Sequence, residues 1–160
     1  WNTLGKFIGM GNFGNIQYAR NVYFQHLTLM YRIIYNQYLM TEIMEFVDIC
    51  RGYFQAFQEK DIDRIEQMVH ESVELKDWEI MVSGKSDFIN ANKKIFADVE
   101  NISIIVKNQG IQDQSTSQSV IVFNEIEIHL NNNSILLQVM DVIEFETKTG
   151  LIKSIRAYKI

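Results

Sequence analysis

Ser134-Ile-Leu-Leu-Gln-Val-Met-Asp-Val-Ile-Glu-Phe145 decides the fold class, because apolar residues recur along it at every second position. Side chains alternate between the faces of a β-strand, so Leu137, Val139, Asp141, Ile143 and Phe145 share one side of a strand with one buried face. Asp141 therefore stands in the middle of an apolar row. A carboxylate there is poorly solvated and its pKa is expected to rise; an acid of that kind in a cavity is a functional-site candidate.

The same period-2 pattern predicts strands over residues 102–108, 117–130 and 151–160 beside 134–146. Gln109-Gly-Ile-Gln-Asp-Gln114, Asn131-Asn-Asn133 and Thr147-Lys-Thr-Gly150 read as the connections, with Asn and Gly where left-handed backbone is needed. Links this short imply antiparallel hairpins. On the second of these strands Val120, Val122, Asn124, Ile126 and Ile128 make one face, and Glu125, Glu127 and His129 the other. One face is therefore covered by helices and one is more polar.

Upstream, the period is 3.6. Phe46, Ile49, Cys50, Tyr53, Ala56 and Phe57 recur at helical steps and predict a helix of roughly four turns, ended by Glu59-Lys-Asp61. Asp61 reads as the cap of a second helix with Ile62, Ile65, Met68 and Val69 inward. A short extended stretch over 73–82 leads through Ser83-Gly-Lys85 to a third helix, capped by Ser86, with Phe88, Ile89, Ile95 and Phe96 buried. Three helices against one side of an antiparallel sheet make an α+β roll.

Composition narrows the function. The chain has 160 residues and is 47% hydrophobic, enough for one domain with a real core. A lone cysteine, Cys50, leaves no disulfide framework and reads as a buried, inert thiol. His26, His70 and His129 lack ligand-like spacing, so no metal site is expected. The net charge of −5 and the lack of a basic stripe argue against nucleic acid as the partner.

Charge is unevenly spread. Residues 1–39 hold Lys6, Arg20 and Arg32 and no acid, and Met40 is a candidate start just where the amphipathic pattern begins. The chain is accordingly divided into an N-terminal extension, 1–39, and a domain, 40–160; the extension reads either as an upstream addition or as a functional segment. Gly9-Met-Gly11-Asn-Phe-Gly14 spells a dinucleotide-binding turn, but no buried strand precedes it and no acid lies about twenty positions on. No cofactor is expected. The apolar stretch 22–39 is broken by Gln25, His26, Arg32, Asn36 and Gln37, which argues against a membrane span and leaves a packing or interface helix. With no secretory signal visible and a single cysteine, a cytoplasmic location is expected.

From about residue 44 the chain resembles the nuclear transport factor 2-like superfamily, the cone-shaped fold that includes ketosteroid isomerase and SnoaL-like polyketide cyclases. Three stretches carry the resemblance: Gly52-Tyr-Phe-Gln-Ala-Phe-Gln-Glu-Lys-Asp-Ile-Asp63, Val73-Glu-Leu-Lys-Asp-Trp78 before Ser83-Gly-Lys85, and Met140-Asp-Val-Ile-Glu-Phe145 before Gly150-Leu-Ile-Lys-Ser-Ile-Arg156. Tyr53, Asp77 and Asp141 fall on the isomerase's hydrogen-bonding tyrosine, general-base aspartate and protonated aspartate. The resemblance thus implies a pocket in which Asp77 moves a proton next to a carbonyl while Tyr53 and neutral Asp141 donate to the enolate oxygen. Phe57, Trp78, Phe96, Val139 and Ile143 are the expected apolar lining, a small apolar molecule the expected ligand, and a homodimer through the sheet the expected assembly. Trp78 stands where the isomerase has proline. Read from residues alone, Tyr53 is equally a core tyrosine and Asp77 a turn residue, so a noncatalytic binding or dimerisation domain is the alternative.

Overall fold

The structure, a computed structural model, describes residues 13–114 and 118–160. The helices are α1 (Phe13–Gln58), α2 (Ile62–Met68) and α3 (Lys85–Asp98). The strands are β1 (Val69–Lys76), β2 (Met81–Ser83), β3 (Ile102–Gln114), β4 (Ser119–Leu130), β5 (Ile135–Glu146) and β6 (Ile152–Lys159). By its contacts the chain divides into two compact units, Trp1–Thr41 and Glu42–Ile160.

In the first unit Tyr23, Phe24, Leu27, Met30, Tyr31 and Ile34 are exposed on α1, and the Tyr31 and Tyr35 rings stack at 6.3 Å. Among the described residues no helix is long and apolar enough to cross a membrane. Of the glycine-rich turn at 9–14 only Phe13 and Gly14 are described, at the start of α1; the rest lies outside the described residues.

In the second unit one six-stranded sheet runs in the order β2-β1-β6-β5-β4-β3. The successive pairs β3–β4, β4–β5 and β5–β6 are antiparallel, as the short links require. The sheet as a whole is mixed, because β1 lies parallel to β6, pairing Leu75 with Ile155 and Lys76 with Arg156. The stretch over 73–82 is accordingly more than a short extended segment: it is a β1–β2 hairpin, and Val69 belongs to its first strand rather than to the preceding helix. Gln109–Gln114, expected as a turn, continues β3 opposite Ser119–Asn124 after a bulge between Val106 and Asn108. Asn131, Asn132 and Asn133 do adopt left-handed backbone, with φ of 52°, 58° and 66°, in the β4–β5 link.

Val139, Ile143 and Phe145 of β5, Val122 and Ile126 of β4 and Ile152 of β6 are fully buried on the inner face. The second-unit part of α1 crosses that face, setting Phe46 on Phe145 at 5.3 Å and burying Cys50, Tyr53, Phe54 and Ala56. α2 starts as read, with the Asp61 side chain accepting from the Arg64 N–H at 3.0 Å. α3 starts two residues early: Gly84, not Ser86, is its N-cap, at φ 90°, a left-handed value that suits glycine.

Lys60 joins these helices. Its N–H donates to the Phe57 carbonyl and that of Asp61 to Ala56, the pairing of a Schellman motif, with Lys60 at φ 56° where glycine is usual. Its ammonium also donates to the carbonyls of Phe96, Val99 and Glu100 at the end of α3. Charge-assisted bonds of this kind are worth about 1.5–3 kcal/mol, against roughly 1 kcal/mol for the left-handed backbone. Lys60→Gly is therefore expected to lower stability by about 1–2 kcal/mol in urea unfolding, although glycine suits the backbone better; a stabilised variant would show that the carbonyl contacts contribute nothing.

Candidate functional site

Strand register brings the polar inner-face residues into one line across the sheet. Gln109 of β3 pairs with Asn124 of β4, Asn124 with Asp141 of β5, and Asp141 with Ala157 of β6. Lys76, the last residue of β1, pairs with Arg156, and Asp77 follows it in the β1–β2 turn. The Asp77 charge is felt at Asp141, so these two acid-base candidates share one neighbourhood. Tyr53 enters the same neighbourhood from α1, and the charge of Asp141 is felt at its hydroxyl.

Asp141 is 7% exposed, and its Oδ1 is buried without a hydrogen-bond partner among the described residues. Burial, reinforced by the nearby Asp77 carboxylate, pushes its pKa up to about 7. Up to about neutral pH a substantial fraction of it is therefore the carboxylic acid, able to donate a hydrogen bond. Tyr53 is 5% exposed, and burial first, then Asp141, then Cys50, drive its hydroxyl pKa upward, so it too stays protonated. Two neutral O–H donors in a low-dielectric setting suit an oxygen that gains negative charge.

Asp77 sits in the β1–β2 turn, half-buried. Its backbone N–H donates to the Ile80 carbonyl at 2.9 Å, and its Oδ1 accepts from the N–H groups of Glu79 and Ile80. One carboxylate oxygen thus holds the turn, an Asx arrangement. Asp77 is thus a turn residue, held through Oδ1.

The expected lining divides. Phe57 lies between Tyr53 and Phe96, with ring centroids at 6.2 Å and 5.0 Å. Trp78 is 38% exposed, and its ring faces the Lys159 ammonium at 4.4 Å, so it is engaged with a cation at the surface. Val139 flanks Asp141 on the inner face; Ile143, two positions the other way, is packed into the core under α1.

Two members of the row escaped the sequence reading as site residues. Asn124 is fully buried; its Oδ1 accepts from Gln109 Nε2 at 2.7 Å, and its Nδ2 reaches Cys50 Sγ at 3.9 Å. The signal for Asn124 was present, an amide interrupting an apolar row just as Asp141 does. Gln109 gave none, because it stood in the presumed turn. Cys50 is buried as read, and burial pushes its thiol up to about 12, against a smaller opposing effect of the Asn124 hydrogen bond. Among the described residues no cluster of His, Cys, Asp and Glu could hold a metal ion. A groove of about 750 Å³ lies on the opposite, outer face of the sheet, lined by Glu74, Lys76, Ser83, Glu144, Ser154 and Arg156.

No family model and no curated protein matches this sequence. Solved structures do. An NTF2-like protein of unknown function from Pseudomonas putida superposes with a TM-score of 0.66 at 10% identity, over 74% of this chain and 87% of that one. The chain has the nuclear transport factor 2-like fold. A proposed dehydratase of the NTF2-like family from Streptomyces avermitilis also superposes with a TM-score of 0.66, at 14% identity, over 75% of this chain and 96% of that one. An LEH-like epoxide hydrolase from M. tuberculosis superposes with a TM-score of 0.55 at 15% identity, over 74% and 85%. Identities this low establish the nuclear transport factor 2-like fold and leave the activity to the site.

Proposed function

We propose that the domain binds a small apolar carbonyl compound or phenol on its inner sheet face and performs acid-base chemistry on it, of the isomerase, cyclase or dehydratase kind. The observation that carries this reading is Asp141: a buried acid whose titration is raised to about 7, with an oxygen that has no hydrogen-bond partner among the described residues. Leaving such a group unsatisfied costs about 1–3 kcal/mol, which a ligand oxygen accepting its proton would recover. Tyr53 supplies the second donor. Asp77, through Oδ2, takes a proton from the carbon next to the carbonyl and returns it at another carbon, while the electron pair rests on the oxygen held by Tyr53 and Asp141. The proposed dehydratase and the epoxide hydrolase named above support small-molecule chemistry on this fold.

Phenols test the oxygen site, because a phenolate resembles an enolate. At a concentration one hundred times Kd, phenol binding adds about 2.7 kcal/mol to stability, roughly 5–10 °C in Tm for a chain of this size. Tyr53→Phe and Asp141→Asn are each expected to weaken binding about tenfold or more, by loss of one donor to a charged oxygen. Deuterium exchange next to the carbonyl of a cyclic ketone, present in the wild type and lost in Asp77→Asn, reports the proton transfer. Binding without exchange would leave recognition as the function.

A second reading concerns the outer face, where Ile105, Leu136 and Tyr158 are about half exposed, paired respectively with Glu127, His129 and Met140. These exposed apolar side chains support a homodimer through the sheet. A monomer by light scattering would remove it.

A further inference from the structure

The groove of about 750 Å³ on the outer face of the sheet is lined by ionic side chains that strand register sorts into two rows. Glu74 of β1 pairs with Ser83 of β2 on one side and Ser154 of β6 on the other, and Ser154 pairs in turn with Glu144 of β5. Two residues further along β1 and β6, Lys76 pairs with Arg156. Acids and hydroxyls therefore form one row and cations the next, about 6.6–6.8 Å away at two residue steps. Lys153, at the register shift between β5 and β6, adds a third cation to the lining. Among the described residues none of these five charged groups takes part in an ion pair, and Glu144 accepts only from the Ser154 hydroxyl, at 3.4 Å. Arg156 Nε is buried and has no hydrogen-bond partner among the described residues. A buried guanidinium N–H left in this way costs the desolvation of a charged group, which an anionic ligand oxygen would offset. An anion alone would meet the cation row but lie beside two carboxylates, and a cation alone has the reverse fault. A ligand that carries both charges meets both rows.

We propose that the outer groove binds a small zwitterion, its carboxylate held by Arg156 and Lys76, its ammonium by Glu74 and Glu144, and a short aliphatic chain running between the two rows. The planar guanidinium of Arg156 suits a carboxylate, and the hydroxyls of Ser83 and Ser154 can accept from an ammonium. The site is distinct from the inner-face one. Its charged residues alternate along β1 and β6 with Leu75 and Ile155, which are buried in the core on the other side of the sheet. The proposal therefore stands independently of the acid-base reading of Asp141.

The test uses 4-aminobutyrate as the probe, with butyrate and butylamine as its single-charge counterparts, titrated calorimetrically against the full chain at low ionic strength, where exposed charges are least screened. 4-Aminobutyrate is expected to bind at least tenfold tighter than either counterpart, because each charged contact contributes a factor of about ten or more. Arg156→Gln is expected to lower its affinity to about that of butylamine, and Glu144→Gln to weaken it without weakening butyrate. Should Arg156→Gln fail to fold, Lys76→Gln takes its place, and the comparison of the three probes on the wild type needs no variant. Equal affinity for 4-aminobutyrate and butyrate would overturn the proposal, because the acid row would then take no part. Absence of 4-aminobutyrate binding at millimolar concentration would overturn it too, and would leave the Asp141 reading where it stands.

Discussion

Asp141→Asn is expected to leave stability nearly unchanged at pH 4 and to raise it by about 4 kcal/mol at pH 8, the reverse of the usual effect of removing a carboxylate. The sign follows from the direction of the shift. An ordinary aspartate in the unfolded chain titrates near 3.8, whereas folded Asp141 titrates near 7 because burial and the Asp77 charge disfavour its ionised form. Between those values the folded state holds a proton that the unfolded state has released. Wild-type stability therefore falls as pH rises from about 4 to about 7 and bears the full cost above that. At 1.36 kcal/mol per unit, a shift of about three units gives the figure of about 4 kcal/mol. In a domain of this size it corresponds to a gap in Tm of roughly 8–16 °C between variant and wild type at pH 8. Taking the difference between the two proteins cancels titrations elsewhere. Asp77→Asn keeps an oxygen for the Glu79 and Ile80 N–H groups while removing the charge, so it is expected to recover part of the same gap. A gap independent of pH would mean that Asp141 ionises normally in the folded protein.

Phe145→Ala carries the second large effect. Phe145 is fully buried where α1 meets β5, with the Phe46 ring at 5.3 Å and Val120 opposite it on β4. Removing the ring deletes the transfer free energy of a buried aromatic and leaves a cavity between helix and sheet that neither can close without moving the other. A loss of about 3–5 kcal/mol is expected in denaturant unfolding, without the pH dependence of the Asp141 variant. The contrast separates packing from ionisation on one strand, four residues apart. A loss below about 1 kcal/mol would show that α1 is not packed on the sheet at this point.

Strand β5 could be read from its alternation alone, because one buried face imposes a period of two on the residues themselves, and a polar side chain in that row is conspicuous. The antiparallel links were equally plain: three asparagines and Gly150 mark the left-handed positions that tight connections need. The β1–β6 pairing was not, since a parallel pair joins residues 69–76 to 152–156 and no local pattern encodes it. Gln109–Gln114 was misread because the bulge after Val106 shifts the inward positions, so that Gln109 rather than an apolar residue faces inward opposite Asn124. Of the site, Asp141 was visible as a violation of hydrophobic patterning.

The central claim is that Asp141 keeps its proton up to about neutral pH, and the most direct measurement is its side-chain carboxyl carbon shift by NMR across pH 3–9, assigned by comparison with Asp141→Asn. A midpoint near 7, lowered in Asp77→Asn, is the predicted result. A midpoint below about 5 would contradict it, because a carboxylate ionised at neutrality could not donate the hydrogen bond on which the proposed chemistry depends.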